Sequence, residues 1–127
     1  DGQTCWFDHR LTWQIREPSD PTDIPTASTT AWFDAGDLPD RLLLRGPTTG
    51  EDLQPFGLDG DRAVADILRD GSVAGSRRWR WPCLVRPSDD PQGDLLWVAG
   101  LRQARTAAIS ETTSRVLEIS VERRSAR

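Results

Sequence analysis

Residues 79–102 read WRWPCLVRPSDDPQGDLLWVAGLR. Trp79, Trp81, Cys83 and Val85 alternate with Arg78, Arg80, Leu84 and Arg86 around Pro82, the period-two pattern of a strand with one aromatic and one guanidinium face. The loop Pro87 to Gly93 is dense in Ser, Asp, Pro and Gly, and Leu95 to Ala99 resumes an apolar run, so the two segments are expected to pair as a hairpin. Asp89 and Asp90 fall in that turn, where Asp serves local hydrogen bonding, and they are not read as an acid/base pair.

The same pattern recurs on both sides. Near the C-terminus Leu117, Ile119 and Val121 alternate with Glu118, Ser120 and Glu122, a half-buried strand with a polar outer face. Upstream, residues 30–35 (TAWFDA) and 41–46 (RLLLRG) read as short strands separated by a turn at residues 36–40. Residues 4–17, with Leu11, Trp13 and Ile15 against Thr12, Gln14 and Arg16, predict an opening hairpin. Residues 18–30 contain too many prolines for a helix or a central strand and read as a loop. One helix is expected over Asp61 to Asp70, where Val64, Ile67 and Leu68 form an apolar stripe. Asp59 and Asp61 suit its positive end, Arg69 its negative end, and Gly71 the left-handed position beyond it. About seven strands to one helix, with a second short helix admitted and no fixed repeat, place the chain in the mainly β (α+β) class, as a small β-sandwich or barrel-like domain.

Size and composition agree with one such domain. The chain has 127 residues, 28% of them charged and 36% hydrophobic, and its longest apolar runs fall far short of the roughly 18 residues of a membrane span. It begins DGQTCWFDHR, which reads as a boundary inside a longer protein. Cys5 and Cys83 are the only cysteines and His9 the only histidine, too few ligands for a typical zinc site. A structural disulfide is not expected, and two isolated cysteines suit a reducing cytoplasm. His9 has no catalytic partner at a recognisable spacing and is expected at the surface.

The net charge of −4 is unevenly spread: residues 1–76 hold 14 acids and 6 arginines, residues 77–127 hold 6 acids and 10 arginines. A basic second half is therefore available to a polyanion. Every cation is Arg, which suits planar recognition of phosphate, although a GC-rich coding bias accounts for the same composition. Arg77, Arg78 and Arg80 form the densest cluster and could grip successive phosphates of an A-form stem. A solvated edge strand using charge against aggregation explains them equally well. The six tryptophans are read mainly as core, with stacking on bases by Trp79 and Trp81 as the lesser reading. Gly50, Gly57 and Gly60 could offer amides to a phosphate but are better explained as turn residues.

Residues 43–60, LLRGPTTGEDLQPFGLDG, place Arg45, Gly50-Glu51, Pro55-Phe56-Gly57 and Gly60 in series before the helix. Val73-Ala74, Arg78, Pro82 and Trp97-Val98-Ala99-Gly100-Leu101-Arg102 follow in order, then Thr112-Thr113 and Val116-Leu117-Glu118-Ile119. In this order and spacing the chain resembles the C-terminal domain of the tRNA(Ile)-lysidine synthase family over about residues 31–121. Asp52 and a lone Arg62 stand where that family carries more cations. The resemblance implies a fold shared with a domain of the phenylalanyl-tRNA synthetase β subunit. It also implies a division into a hairpin and loop (1–30), a tRNA-binding domain (31–122) and a basic tail (123–127), with RNA contacts at Arg45, Arg77, Arg78, Arg80 and Arg102. The partners it implies are tRNA(Ile), through its acceptor stem, and the enzyme's own N-terminal catalytic domain. That domain would use ATP and Mg2+ to attach lysine to the wobble cytidine. The Ser-Gly-Gly-x-Asp-Ser loop that would cradle ATP phosphates is absent from these 127 residues, so no cofactor and no catalytic residue are expected here. A domain that packs against its parent enzyme or a second copy, without touching RNA, stays open as the alternative. A carbohydrate-binding module, suggested only by tryptophan count, is a more distant one.

Overall fold

A computed structural model describes residues 1–18, 29–55, 60–90 and 93–123. Its first sheet is built from β1 (Gly2–Trp6), β2 (His9–Arg16), β3 (Thr30–Asp34) and the last strand, β10 (Val116–Arg123). All neighbours are antiparallel, in the order β1-β2-β10-β3. The opening hairpin is therefore part of the main sheet, because β10 pairs with β2 along the full length of both strands.

The second sheet has the order β4-β7-β8-β9, from β4 (Leu43–Arg45), β7 (Cys83–Arg86), β8 (Asp94–Val98) and β9 (Arg102–Gln103). The hairpin read from residues 83–98 is present as β7 and β8, with Gly93 N–H donating to the Asp90 carbonyl at 2.8 Å in its turn. A two-stranded ribbon, β5 (Asp52–Leu53) and β6 (Arg62–Ala63), leads into α1 (Val64–Asp70).

The architecture is mainly β, as expected, in three layers. The two sheets enclose one core containing Leu11, Phe33, Leu84, Trp97, Leu117 and Ile119. The other face of the second sheet meets α1 through Leu53, Val64, Ile67, Leu68, Val98 and Ala104. One irregularity lets β8 serve both cores. The pairing shifts between Leu84 and Val85, so that Leu84 opposes Trp97 and Val85 opposes Leu95. Leu96 is the extra residue of a bulge. It joins Trp97 in the inter-sheet core while Leu95 and Val98 turn to the helix side.

Three expectations are corrected. The helix starts at Val64 rather than Asp61, because Arg62 and Ala63 are drawn into ladder pairing with Leu53 and Asp52. Its end is not capped by a left-handed Gly71: Gly71 has φ −82°, and Ser72 takes the positive φ of 60°. The strand inferred from residue 78 onward begins only at Cys83, and residues Gly75–Arg78 form a helical turn, α2, so alternation does not sort Trp79 and Trp81 from the arginines. Gly50 and Gly60 have φ of 76° and 79° with open space around them, which is the turn role. Gly57 lies outside the described residues, as do most of the loop at 18–30 and the tail beyond 123.

Candidate nucleic-acid interface

The turn joining β1 to β2 holds only two residues, Phe7 and Asp8, since Trp6 pairs with His9. Tight hairpins of this length need a positive φ at the first turn residue and ordinarily place Gly there. Here Phe7 takes it, at φ 54°. This hairpin tip is where α2 and the residues after it dock. Trp6 Nε1 donates to the Arg80 carbonyl at 2.9 Å, and Arg77 forms an ion pair with Asp8. Phe7 meets Trp79 edge-on at 5.4 Å between ring centres, and His9 meets Trp81 at 4.6 Å.

Residues 77–81 are held from below as well. Trp81 Nε1 donates to the Ala99 carbonyl at 2.9 Å, and Arg78 Nε to the Val73 carbonyl at 3.0 Å. Gly46, just past β4, leaves no room for a side chain: a Cβ there would lie 2.0 Å from the Trp79 carbonyl oxygen. The segment bearing the three arginines is thus clamped between the hairpin tip and the edge of the second sheet.

The last strand brings in a fourth cation. Arg123 Nε lies 3.3 Å from Asp8 Oδ2, so Asp8 is shared by Arg77 and Arg123. Residues 73–86 contain no acid. Two guanidinium groups therefore share the Asp8 carboxylate, Arg80 acts on His9 beside it, and Arg78 stands on the same segment, so a chain of net charge −4 acquires a cation-rich tip. Arg80 Nε is buried with no hydrogen-bond partner among the described residues.

His9 sits inside this cluster rather than at the surface, with only 4% of its area exposed. Burial against Trp81 holds its pKa below the ordinary value; Asp8 opposes that shift, and Arg123 and Arg80 reinforce it. A neutral imidazole is the form that fits beside two cations.

The five arginines singled out from the sequence are not one patch. Arg77, Arg78 and Arg80 come together at the tip. Arg45, at the end of β4, makes a two-pronged pair with Glu51, with Nη1 to Oε1 at 3.0 Å, and the side chains are only 20% and 10% exposed. Burial opposes ionisation of Glu51, but the Arg45 and Thr48 hydrogen bonds outweigh it and hold its carboxyl below the usual range. Arg102 lies in β9, at the opposite edge of the second sheet from β4. Sequence reasoning missed Phe7, Asp8 and Arg123, which come together only because β1 and β10 both pair with β2.

Another cluster lies on the outer face of the first sheet. Glu118 accepts from Trp32 Nε1 at 2.7 Å, Gln14 Nε2 at 2.7 Å and Arg16 Nη1 at 3.0 Å. Burial again works against its charge, but these donors prevail and its pKa is lowered. Cys5 is exposed on β1 and Cys83 is buried in β7, where desolvation pushes the thiol up to about 12.

No protein-family model matches the chain. Curated relatives do. The tRNA(Ile)-lysidine synthase of Geobacter sulfurreducens is 33% identical over 114 residues, covering 87% of this chain, and that of Bacteroides thetaiotaomicron is 30% identical over 112 residues, covering 86%. The crystal structure of the TILS C-terminal domain superposes with a TM-score of 0.75 at 18% identity, covering 94% of this chain and 87% of that one. The chain matches the C-terminal domain of tRNA(Ile)-lysidine synthases. An N-terminal fragment of the phenylalanyl-tRNA synthetase β-subunit from Pyrococcus horikoshii also shares the fold, with a TM-score of 0.57 at 16% identity over 72% of this chain and 27% of that one. The resemblance stated over about residues 31–121 is thus met in sequence and in fold. The chain spans about a quarter of the length of these two lysidine synthases. No helix among the described residues is long and apolar enough to cross a membrane.

Proposed function

We propose that this chain is the tRNA-recognition domain of a tRNA(Ile)-lysidine synthase, and that it holds tRNA(Ile) while a separate domain uses ATP to attach lysine to the wobble cytidine. The observation that carries the RNA-contacting part is the gathering of Arg77, Arg78, Arg80 and Arg123 around the hairpin tip of an otherwise acidic chain. Phosphate affinity follows local cation density rather than net charge, because each phosphate contact releases condensed counterions. Guanidinium groups on a fixed backbone suit a stem read through its shape and phosphates. Arg78, Arg80 and Arg123 are the phosphate contacts in this reading. Arg77 is the anchor that holds Asp8, Arg45 stabilises the turn at Glu51, and Arg102 stands apart on β9.

The test is tRNA binding by the 127-residue chain with Arg78, Arg80 and Arg123 changed to Gln. Gln keeps hydrogen-bond donors and removes charge. Affinity at low salt should fall by at least about tenfold in a variant that still unfolds cooperatively, given the strong dependence of such binding on each phosphate contact. Undiminished affinity would contradict the assignment.

A second reading has its own support. The open end between the sheets holds an apolar groove of about 730 Å3, lined among others by Trp6, Trp13, Ile15, Leu43 and Leu117, and Ile15 and Leu43 are exposed. Exposed apolar surface of this kind suits packing against protein. In that case Leu43→Ser weakens assembly with the parent enzyme or a second copy and leaves tRNA affinity unchanged.

A further inference from the structure

The hairpin tip and the arginine-bearing segment docked on it carry a feature that phosphate binding does not use. Trp79 is 63% exposed and Phe7 is 51% exposed. They stand in edge-to-face contact, and Trp6 meets Phe7 in the same way at 5.3 Å, so three rings step outward from a half-buried base. We propose that Trp79 and Phe7 form a stacking platform for unpaired nucleotides next to a stem, with the surrounding arginines taking the phosphates of that junction. The inference rests on the RNA-binding reading above and names which part of the RNA the tip takes.

Three observations support it. First, the platform is rigid before any ligand arrives. The Trp79 backbone abuts Gly46, and its neighbours are tied to Ala99, Val73 and the Trp6 indole. Little conformational freedom remains to be lost on binding. Second, exposing two large aromatics costs solubility and stability, and Phe7 does so in a turn position where Gly would fit without strain. An aromatic ring kept there is explained by a surface that it completes. Third, the rim is chemically one-sided. Arg77 and Arg123 share Asp8, Arg80 acts on His9 beside it, and residues 73–86, which carry Trp79, contain no acid. An apolar protein partner would have to desolvate those charges without compensation, whereas a nucleotide offers a flat face to the ring and an anionic group to the cations.

The chemistry also selects which nucleotides. Bases inside an A-form stem are stacked on one another and present no free face, so a ring can stack only on a nucleotide that is unpaired or at the end of a helix. A stem gripped by phosphate contacts alone would gain nothing from Trp79.

The experiment compares two RNA hairpins of identical stem, one blunt and one with a short single-stranded overhang, binding to the 127-residue chain by fluorescence anisotropy. The variants are Trp79→Ala, Trp79→Phe and Phe7→Gly; the last relaxes the turn while removing the ring, so a folding defect does not obscure its result. The wild type should prefer the overhang by about tenfold, the scale of one base–aromatic stack. Trp79→Ala and Phe7→Gly should lose most of that preference while binding the blunt hairpin within about twofold of the wild type, and Trp79→Phe should keep most of it. Equal wild-type affinity for the two hairpins overturns the platform and leaves the phosphate-binding function standing. So does an equal loss on both RNAs in Trp79→Ala. Binding of neither hairpin overturns both. RNA affinity unchanged in Trp79→Ala, with self-association weakened in sedimentation, assigns the rings to a protein surface and also overturns it.

Discussion

At the residue scale, the charges that matter are those the fold commits and those it leaves at the tip. Arg45 and Glu51 form a largely buried pair beside the β4 end. Glu51→Gln leaves a guanidinium with half its partner, and unfolding in urea should show a loss of about 3 kcal/mol, the lower end of what breaking a buried pair costs. His9 behaves differently. Its folded pKa is depressed, so the unfolded chain takes up the proton first, and stability present above about pH 6.5 is lost as pH falls through the lowered folded value. Wild-type stability should therefore decline as pH falls below about 6.5, before the ordinary carboxylates titrate. In His9→Gln that slope should vanish; equal slopes in both proteins would refute the assignment. The burial of His9 was not legible in the sequence. A lone histidine at a strand start carries no sign that Trp81, 72 positions away in sequence, will cover it.

At the scale of elements, legibility followed periodicity. β2 and β10 carry clear alternation of apolar and polar residues, and β7 and β8 show as apolar runs flanking a Pro-, Asp- and Gly-rich loop; both patterns read correctly. The residues before β7 alternate just as well, yet 75–78 coil into α2. What decides them is long-range: the Phe7-Asp8 tip captures Arg77 and Trp79, and Gly46 admits the Trp79 carbonyl. The start of α1 was misplaced for a similar reason, since pairing with β5 holds Arg62 and Ala63 extended. Gly46→Ala tests this account of the clamp. Its Cβ would meet backbone, which cannot rotate away, so the cost should be about 1–3 kcal/mol by thermal unfolding, on the scale of overpacking. RNA affinity should fall with it, because the platform and two arginines shift together. An unchanged melting temperature would show that the clamp does not set this segment.

At the scale of the molecule, the two sheets and α1 form a scaffold in which the end of β10 reaches the tip of the opening hairpin. β1 opens the chain and β10 closes it, and both pair with β2, which delivers Arg123 to the turn that follows β1. Of the candidate site, the arginine cluster at 77–80 was visible in the sequence, while its completion by residues 7, 8 and 123 depended on that closure. The two cysteines give an independent check of the layers: alkylation of the native protein should label Cys5 quickly and Cys83 only on unfolding, because Cys83 is inaccessible and its thiol is held neutral by burial. Equal rates would contradict the packing of β7.

The most direct measurement of the central claim is tRNA affinity of the 127-residue chain across a series of salt concentrations, for the wild type and for the variant with Arg78, Arg80 and Arg123 changed to Gln. If these side chains sit on phosphates, log affinity falls linearly with log salt, and the slope in the variant is shallower by about 2–3. Parallel lines for the two proteins, or no binding by the wild type at low salt, would contradict it.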